Sequence, residues 1–382
     1  MLRSAVADLV SRRPGRRLTA VVAALTLAVT GGGAGAGACG VWPGSGTSPA
    51  PARPGSTGTS AARPVDVMFH GLWTRYTDEQ RAHVLDRLQA AGVTSVRIDL
   101  SWVMLQPDGP ESYDRWGTEF VDRVIAMANE RSIRPLMMLW LTPGWANGNQ
   151  GQRTAPYRAE DYARVAGWAA DRWRGKVLGW EVWNEPNSDA FLRGADPAAY
   201  VRILRAAYPA IKAGDPNAAV VFGGVEYNDV DWLRRAYDAG AKGSFDVLAT
   251  HPYQGIADLP PTARDSTKWT LTHASEVRRL MVDWGDAAKP IWFTEFGWSA
   301  HANWAGIPNW ERGVTPEQQG DYFVRALQYT SANYPYVPVA FWYKERTLPG
   351  ENDVHQAGFG LLDGTLAERP VYTRLKSYLT GS

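Results

Sequence analysis

The feature that most constrains this chain is a rhythm of eight short, almost wholly apolar runs, each followed by a polar loop and a helical pattern. The runs are VDVMFHG (65–71), TSVRIDL (94–100), RPLMMLW (134–140), VLGWEVWN (177–184), AVVFGG (219–224), FDVLATH (245–251), PIWFTEF (290–296) and VPVAFWY (337–343). Runs that lack polar alternation belong to strands covered on both faces, as in a parallel sheet wrapped by helices. The intervening segments carry helix starts. Thr77 opens TDEQ and Thr315 opens TPEQ, both capping-box patterns, the second with Pro316 at the first helical position. Asp196 and Pro197 open another helix, in which Ile203, Leu204, Ala207 and Ile211 recur at helical spacing up to Gly214. A last helix is expected over 368–379. Eight alternations over about 300 residues predict an α/β fold of the (β/α)8 TIM-barrel type. A doubly wound open sheet is the alternative, but no Gly-rich phosphate loop follows the first strand.

The preceding residues do not share this rhythm. Five arginines (Arg3, Arg12, Arg13, Arg16 and Arg17) precede the uncharged run LTAVVAALTLAVT and then the small-residue stretch GGGAGAGAC, which ends at Cys39, the one cysteine of the chain. This pattern predicts a signal peptide over 1–39, since the apolar run is short for a membrane span. AGAC resembles the lipobox of bacterial lipoproteins with Ala36 in place of the usual Leu. Cys39 is therefore read either as a lipidation site, which would tether the protein to a membrane, or as incidental to a plain A-x-A cleavage site. Residues 40–64, rich in Pro, Gly, Ser and Thr, read as a flexible linker. The expected location is extracytoplasmic, secreted or lipid-anchored at a bacterial surface, with one catalytic domain over 65–382.

In a barrel of this kind the chemistry gathers where the strands end, because the loops that follow them meet there. Asn184 and Glu185 end the fourth run, Glu295 the seventh, Arg97 and Asp99 the second, His251 the sixth with Tyr253 just beyond, and Trp342 the eighth. A buried carboxylate is costly unless paired, so a glutamate inside IWFTEFGW is unlikely to be incidental. Two carboxyl groups facing each other across a barrel mouth suit glycoside hydrolysis, one protonating the leaving oxygen and the other attacking the sugar carbon or activating water. The acid needs an apolar setting, which Trp183 and Pro186 offer Glu185; the ionised partner needs a cation, and Arg97 is available to Glu295. Glu181, four residues before Glu185, has the same parity and belongs deeper in the barrel. Arg97 could equally pair with Asp99 or Glu181. His70 reads equally as a sugar-binding residue and as a satisfied buried histidine. Trp140, Trp145 and Trp298 read as cleft walls or as packing.

WNEPN at the fourth run and TEFGWS at the seventh resemble the corresponding strands of the retaining glycoside hydrolases of clan A, especially families 5 and 39. The resemblance extends over about 65–380. It implies that Glu185 is the general acid/base and Glu295 the nucleophile, that Asn184 bonds the sugar 2-hydroxyl, and that Arg97 orients Glu295. It also implies that His251 and Tyr253 contact the nucleophile or substrate, and that Trp342 forms the aromatic platform beneath the sugar at the cleavage point. The implied reaction is a double displacement on a β-linked polysaccharide, expected to be endo-acting on an exopolysaccharide or cell-envelope glycan such as a biofilm matrix. An exo-acting, xylosidase-like enzyme, a cellulase or mannanase, and a non-catalytic glycan-binding surface protein are the alternatives.

Composition agrees with a sugar-directed reading. The 18 Trp and 16 Tyr exceed what a core of this size calls for, and flat rings suit sugar faces, although any single ring reads first as core. A net charge of +1 gives no argument for nucleic acid. Six scattered histidines give no close metal-ligand spacing. No metal and no cofactor are expected, and the protein is expected to act as a monomer.

Overall fold

The computed structural model describes residues 65–264 and 269–381. The signal segment, Cys39 and the linker lie outside the described residues. Nine strands form one parallel sheet: β1 (Val65–Met68), β2 (Ser95–Ser101), β3 (Arg134–Trp140), β4 (Gly179–Val182), β5 (Ala219–Phe222), β6 (Val225–Glu226), β7 (Leu248–His251), β8 (Ile291–Phe296) and β9 (Val339–Trp342). Their spatial order, β5-β4-β3-β2-β1-β9-β8-β7-β6, is the order of the chain taken round a circle. The ends also meet, through a parallel bridge between Val221 and Val247 and the bond from Phe222 N to Val247 O. This is a TIM-barrel-like arrangement, and it removes the open-sheet alternative, in which the strand order would reverse at a switch point.

Eight runs were expected and nine strands occur, because the fifth run breaks at Gly223 and Gly224 and resumes as β6. The break has a local cause. A Cβ at Gly224 would collide with His251 Nε2 and with Thr294 Oγ1, so only glycine lets the backbone approach this closely. Gly224 uses the approach: its N–H donates to Glu181 Oε1 at 2.9 Å, and its carbonyl accepts from Glu185 N at 3.0 Å.

The helices start where the sequence places them. Thr77 and Thr315 each close a full capping box, and Asp196 caps the helix Pro197–Gly214 through Ala198 N and Ala199 N. Each such cap contributes about 1 kcal/mol. Ile203, Leu204, Ala207 and Ile211 all face inward on that helix. The last helix runs Pro370–Thr380.

Inside the barrel, Leu136, Val221, Val247, Ala249, Trp292 and Phe341 make an apolar floor. The larger core lies between sheet and helices, and it absorbs much of the tryptophan: Trp102, Trp173, Trp180, Trp183, Trp232 and Trp342 are fully buried. Above the floor, residues of the same inward parity turn polar, beginning with Arg97 and Glu181.

Candidate active site

Each site residue is aimed by a specific departure from regular strand geometry. On β2 plain alternation suffices, pointing Arg97 and Asp99 into the barrel beside Leu136, Met138 and Trp140 of β3. On β8 the ladder to β9 shifts register between Phe293 and Phe296. Such an irregularity re-aims side chains, and here Thr294 and Glu295, consecutive in sequence, both reach interior partners. After β4, Trp183 and Glu185 adopt φ of 72° and 41°. The left-handed turns send Trp183 outward against Tyr162 and bring Asn184 and Glu185 to the mouth of the barrel. Left-handed geometry is disfavoured for side chains of this size and accumulates at functional sites.

Arg97 is the hub. Its Nε donates to Glu181 Oε2 at 2.5 Å, Nη1 to Glu295 Oε1 at 2.6 Å and Nη2 to Asn184 Oδ1 at 2.8 Å. The alternatives for Arg97 therefore resolve into two pairings held at once, while Asp99 is bonded by Trp73 Nε1 instead. Glu181 is fully buried and supportive, as its depth suggested: Arg97, Gly224 N and Thr294 Oγ1 all donate to it.

The two mouth carboxyl groups occupy opposite electrostatic settings. Glu295 also receives the Tyr253 hydroxyl on Oε2 at 2.9 Å. Burial works against its ionisation, but the charges of His251 and Arg97, with the Tyr253 bond, outweigh it and hold Glu295 below the ordinary carboxylate range. Glu185 has no guanidinium in contact; its one basic partner is His251. Burial pushes its carboxyl up, the charge of Glu295 adds to this, and His251 only partly opposes it.

His251 links the two halves. Thr294 Oγ1 donates to Glu181, so it accepts from His251 Nε2–H at 3.0 Å, which turns Nδ1 toward Glu185 Oε1 at 2.7 Å. One proton is then shared across Nδ1 and Oε1, held either by the carboxyl group or by the imidazole. Burial lowers the His251 pKa, but the charges of Glu295 and Glu185 more than reverse this.

Two chambers open from the acid pair. The first is lined on the β1–β4 side by His70, Trp73, Asp99, Trp140, Asn184 and Tyr343, with Leu348 and Glu351 also in its wall. The second lies toward β6–β8 and includes Glu226, Tyr227, Tyr253, Trp298, Trp310 and His355.

The structure brings together Glu185, Glu295, Asn184, Arg97, His251, Tyr253, His70, Trp140 and Trp298. His70 satisfies both of its readings, lining the first chamber while its N–H and Nδ1 bond Glu345 at 2.9 Å each. Trp298 walls the second chamber and donates to Leu259 O. Trp145 packs on Trp102 and donates to Gln106 O.

Trp342 is a correction. It is fully buried on the outer face of β9, edge-on to Phe296 and Phe323, and its Nε1 donates to Phe359 O. Phe341, one residue before it, belongs to the interior floor. Strand parity therefore sends Trp342 outward, and the aromatic that reaches the site is Tyr343, which lines both chambers. Counting inward positions from Phe341 would have found it. Glu226 carried no such signal: it enters the site because β6 follows the Gly223–Gly224 break, and burial with the neighbouring Glu185 charge pushes its carboxyl up to about 8.

One oxygen each of Glu185 and Glu295 and one His251 nitrogen lie within 4.8 Å of one another, close enough to converge on an ion. The Arg97 guanidinium already occupies Glu295 and would oppose a cation there. The arrangement suits proton transfer better: an ionised carboxylate fixed by two donors faces a second carboxyl biased toward its protonated form, with room between them for a bond to be cut.

Comparison with known proteins agrees with this geometry. Residues 56–343 match the model for cellulase, glycosyl hydrolase family 5. Among solved structures, a family 39 glycoside hydrolase from the gut symbiont Bacteroides cellulosilyticus WH2 superposes with a TM-score of 0.66 at 21% identity, over 84% of this chain and 64% of that one. A family 39 β-xylosidase from Caulobacter crescentus gives 0.63 at 19% identity, over 83% and 72%. A family 5 subfamily 18 enzyme from Streptomyces cattleya, in complex with Manβ1-4GlcNAc, gives 0.64 at 17%, over 83% and 80%. The chain thus spans under two thirds of the length of the first of these. At such identities the likeness establishes a shared fold, while the sequence match covers most of the chain. The chain belongs to the cellulase family, glycosyl hydrolase family 5, within the clan A glycoside hydrolases.

Proposed function

We propose that this protein is a retaining glycosidase that cleaves β-linked polysaccharide by double displacement, with Glu295 as nucleophile and Glu185 as acid/base. The observation that carries the reading is the carboxyl pair: nearest oxygens within 4.8 Å, one group held ionised and the other pushed toward its acid form. Retaining enzymes hold their carboxyl groups about 5–5.5 Å apart, and inverting enzymes about 6.5–9.5 Å, to admit a water. Glu295 attacks the sugar carbon while Glu185 gives its proton to the departing oxygen. Glu185, then a base, takes a proton from water, and the water oxygen displaces Glu295. Arg97 and Tyr253 receive the negative charge that returns to Glu295.

Endo action on an exopolysaccharide or envelope glycan is supported by a cleft that continues on both sides of the acid pair, and by the export pattern at the start of the sequence. In that setting Cys39 would be a membrane tether. Exo action is a second reading, favoured by the likeness to a family 39 β-xylosidase. Product analysis on a polysaccharide panel separates them: oligosaccharides at early times support endo action, and monosaccharides alone overturn it. Binding of glycans with cleavage of none would support a non-catalytic role instead.

A further inference from the structure

The two chambers differ in how completely their buried polar atoms are paired. Among the described residues, the buried side-chain atoms without a hydrogen-bond partner include Asp99 Oδ1 and Trp140 Nε1, and both residues line the β1–β4 chamber. No such atom belongs to a residue lining the β6–β8 chamber. Asp99 and Trp140 are 4% and 2% exposed, so bulk water does not serve them. Their neighbours are engaged. Trp73 Nε1 donates to the other Asp99 oxygen, His70 Nδ1 is bonded to Glu345, and Glu351 takes Lys344 Nζ and Leu348 N. A buried acceptor and a buried donor left open in one chamber are costly without a ligand that pairs them.

The charge in the chamber narrows that ligand. Four lining residues carry carboxyl groups, Asp99, Glu185, Glu295 and Glu351, and none is Lys or Arg. The one basic group in the lining, the His70 imidazole, is paired with Glu345, and Arg97 and Lys344 stand behind this wall with their charges committed to Glu181, Glu295 and Glu351. A sugar carboxylate placed here would meet like charge and no free cation, whereas a hydroxyl can donate to Asp99 and another can accept from Trp140.

We propose that Asp99 and Trp140 are a specificity pair for the sugar that becomes attached to Glu295, selecting an uncharged pyranose by two of its hydroxyls and rejecting uronic acids. This rests on the retaining reading above for the assignment of the chamber: Asn184, the expected partner of the 2-hydroxyl, lines this chamber and not the other.

The test uses the full-length protein and two measurements. In calorimetry, non-hydrolysable thio-linked β-disaccharides with a glucose, mannose or xylose glycone are compared with one bearing glucuronic acid. At least one neutral ligand should bind about 100-fold more tightly than the uronide. Trp140→Phe, which keeps the ring and loses the N–H, and Asp99→Asn should each reduce that preference about 10-fold or more. In hydrolysis of the matching aryl glycosides, the same variants should lose kcat/KM on the neutral sugar. The loss should shrink on the deoxy analogue that lacks the hydroxyl concerned. Equal or tighter uronide binding, no neutral binding, or variants with unchanged preference would overturn the proposal. Binding that follows the predicted order without any hydrolysis would retain it and overturn the catalytic reading alone.

Discussion

The end of β4 and the end of β8 each present one glutamate to the same cleft, yet the two regions are built on opposite principles. Around Glu295 the fold supplies donors: a guanidinium from β2 and a phenol from just beyond β7. Around Glu185 it supplies burial, a backbone bond to Gly224, and one histidine whose proton is shared. Placing a guanidinium against only one of two similar carboxyl groups separates their roles, because each unit of pKa divergence is about 1.4 kcal/mol of preference for one protonation state. Activity should therefore require Glu295 ionised and Glu185 protonated, giving a pH profile whose acid limb belongs to Glu295 and whose basic limb belongs to Glu185.

Substitutions at the two ends test how separate these settings are. The largest effect is expected for Glu295→Gln, with kcat falling on the order of 10⁵-fold for every substrate, since no covalent path remains. Glu185→Gln should cost about 10²–10⁴-fold on glycans, the range of a lost proton donor. With an activated aryl glycoside its first step should recover, because a good leaving group needs no proton. Equal residual rates for the two variants on that substrate would erase the distinction.

His251→Phe comes next, at on the order of 10²-fold in kcat/KM, from loss of a bond to a charged group. Because His251 lowers both carboxyl pKa values, its removal should shift both limbs of the profile to higher pH. Tyr253→Phe should cost about 10-fold. It removes one of the interactions that lower the Glu295 pKa, so that pKa rises and the acid limb moves to higher pH. The basic limb should stay in place, since Tyr253 bonds only Glu295. An acid limb unmoved in Tyr253→Phe, or a basic limb that moves with it, would show that the two carboxyl groups do not titrate in the roles assigned.

The same contrast explains which features were legible in the sequence. The barrel could be read because both-face burial writes continuous apolar runs, and because Thr77, Thr315 and Asp196 are unambiguous caps. Glu185 and Glu295 could be read because a carboxylate in an apolar strand is conspicuous. Trp342 misled because aromatic type was read without strand parity, and β9 alternates so that Phe341 and Tyr343 face inward. Glu226 and the role of Gly224 depend on a two-residue break in one strand, and Asp99's unpaired oxygen depends on which partner Arg97 takes. Those are outcomes of three-dimensional competition among partners, which a single strand's sequence does not encode. The aromatic excess divided: six tryptophans fill the core, while Trp73, Trp140, Trp298 and Trp310 wall the chambers.

The central claim is that Glu295 forms a bond to sugar while Glu185 does not. The most direct measurement is intact-protein and peptide mass spectrometry after treatment with activated 2-deoxy-2-fluoro β-glycosides of a sugar the enzyme cleaves, which slow release of a covalent intermediate. The account predicts one added glycosyl mass per chain, located on the peptide containing Glu295 and absent from Glu295→Gln. Turnover of the parent glycoside with inverted product and no adduct, or an adduct on Glu185, would contradict it.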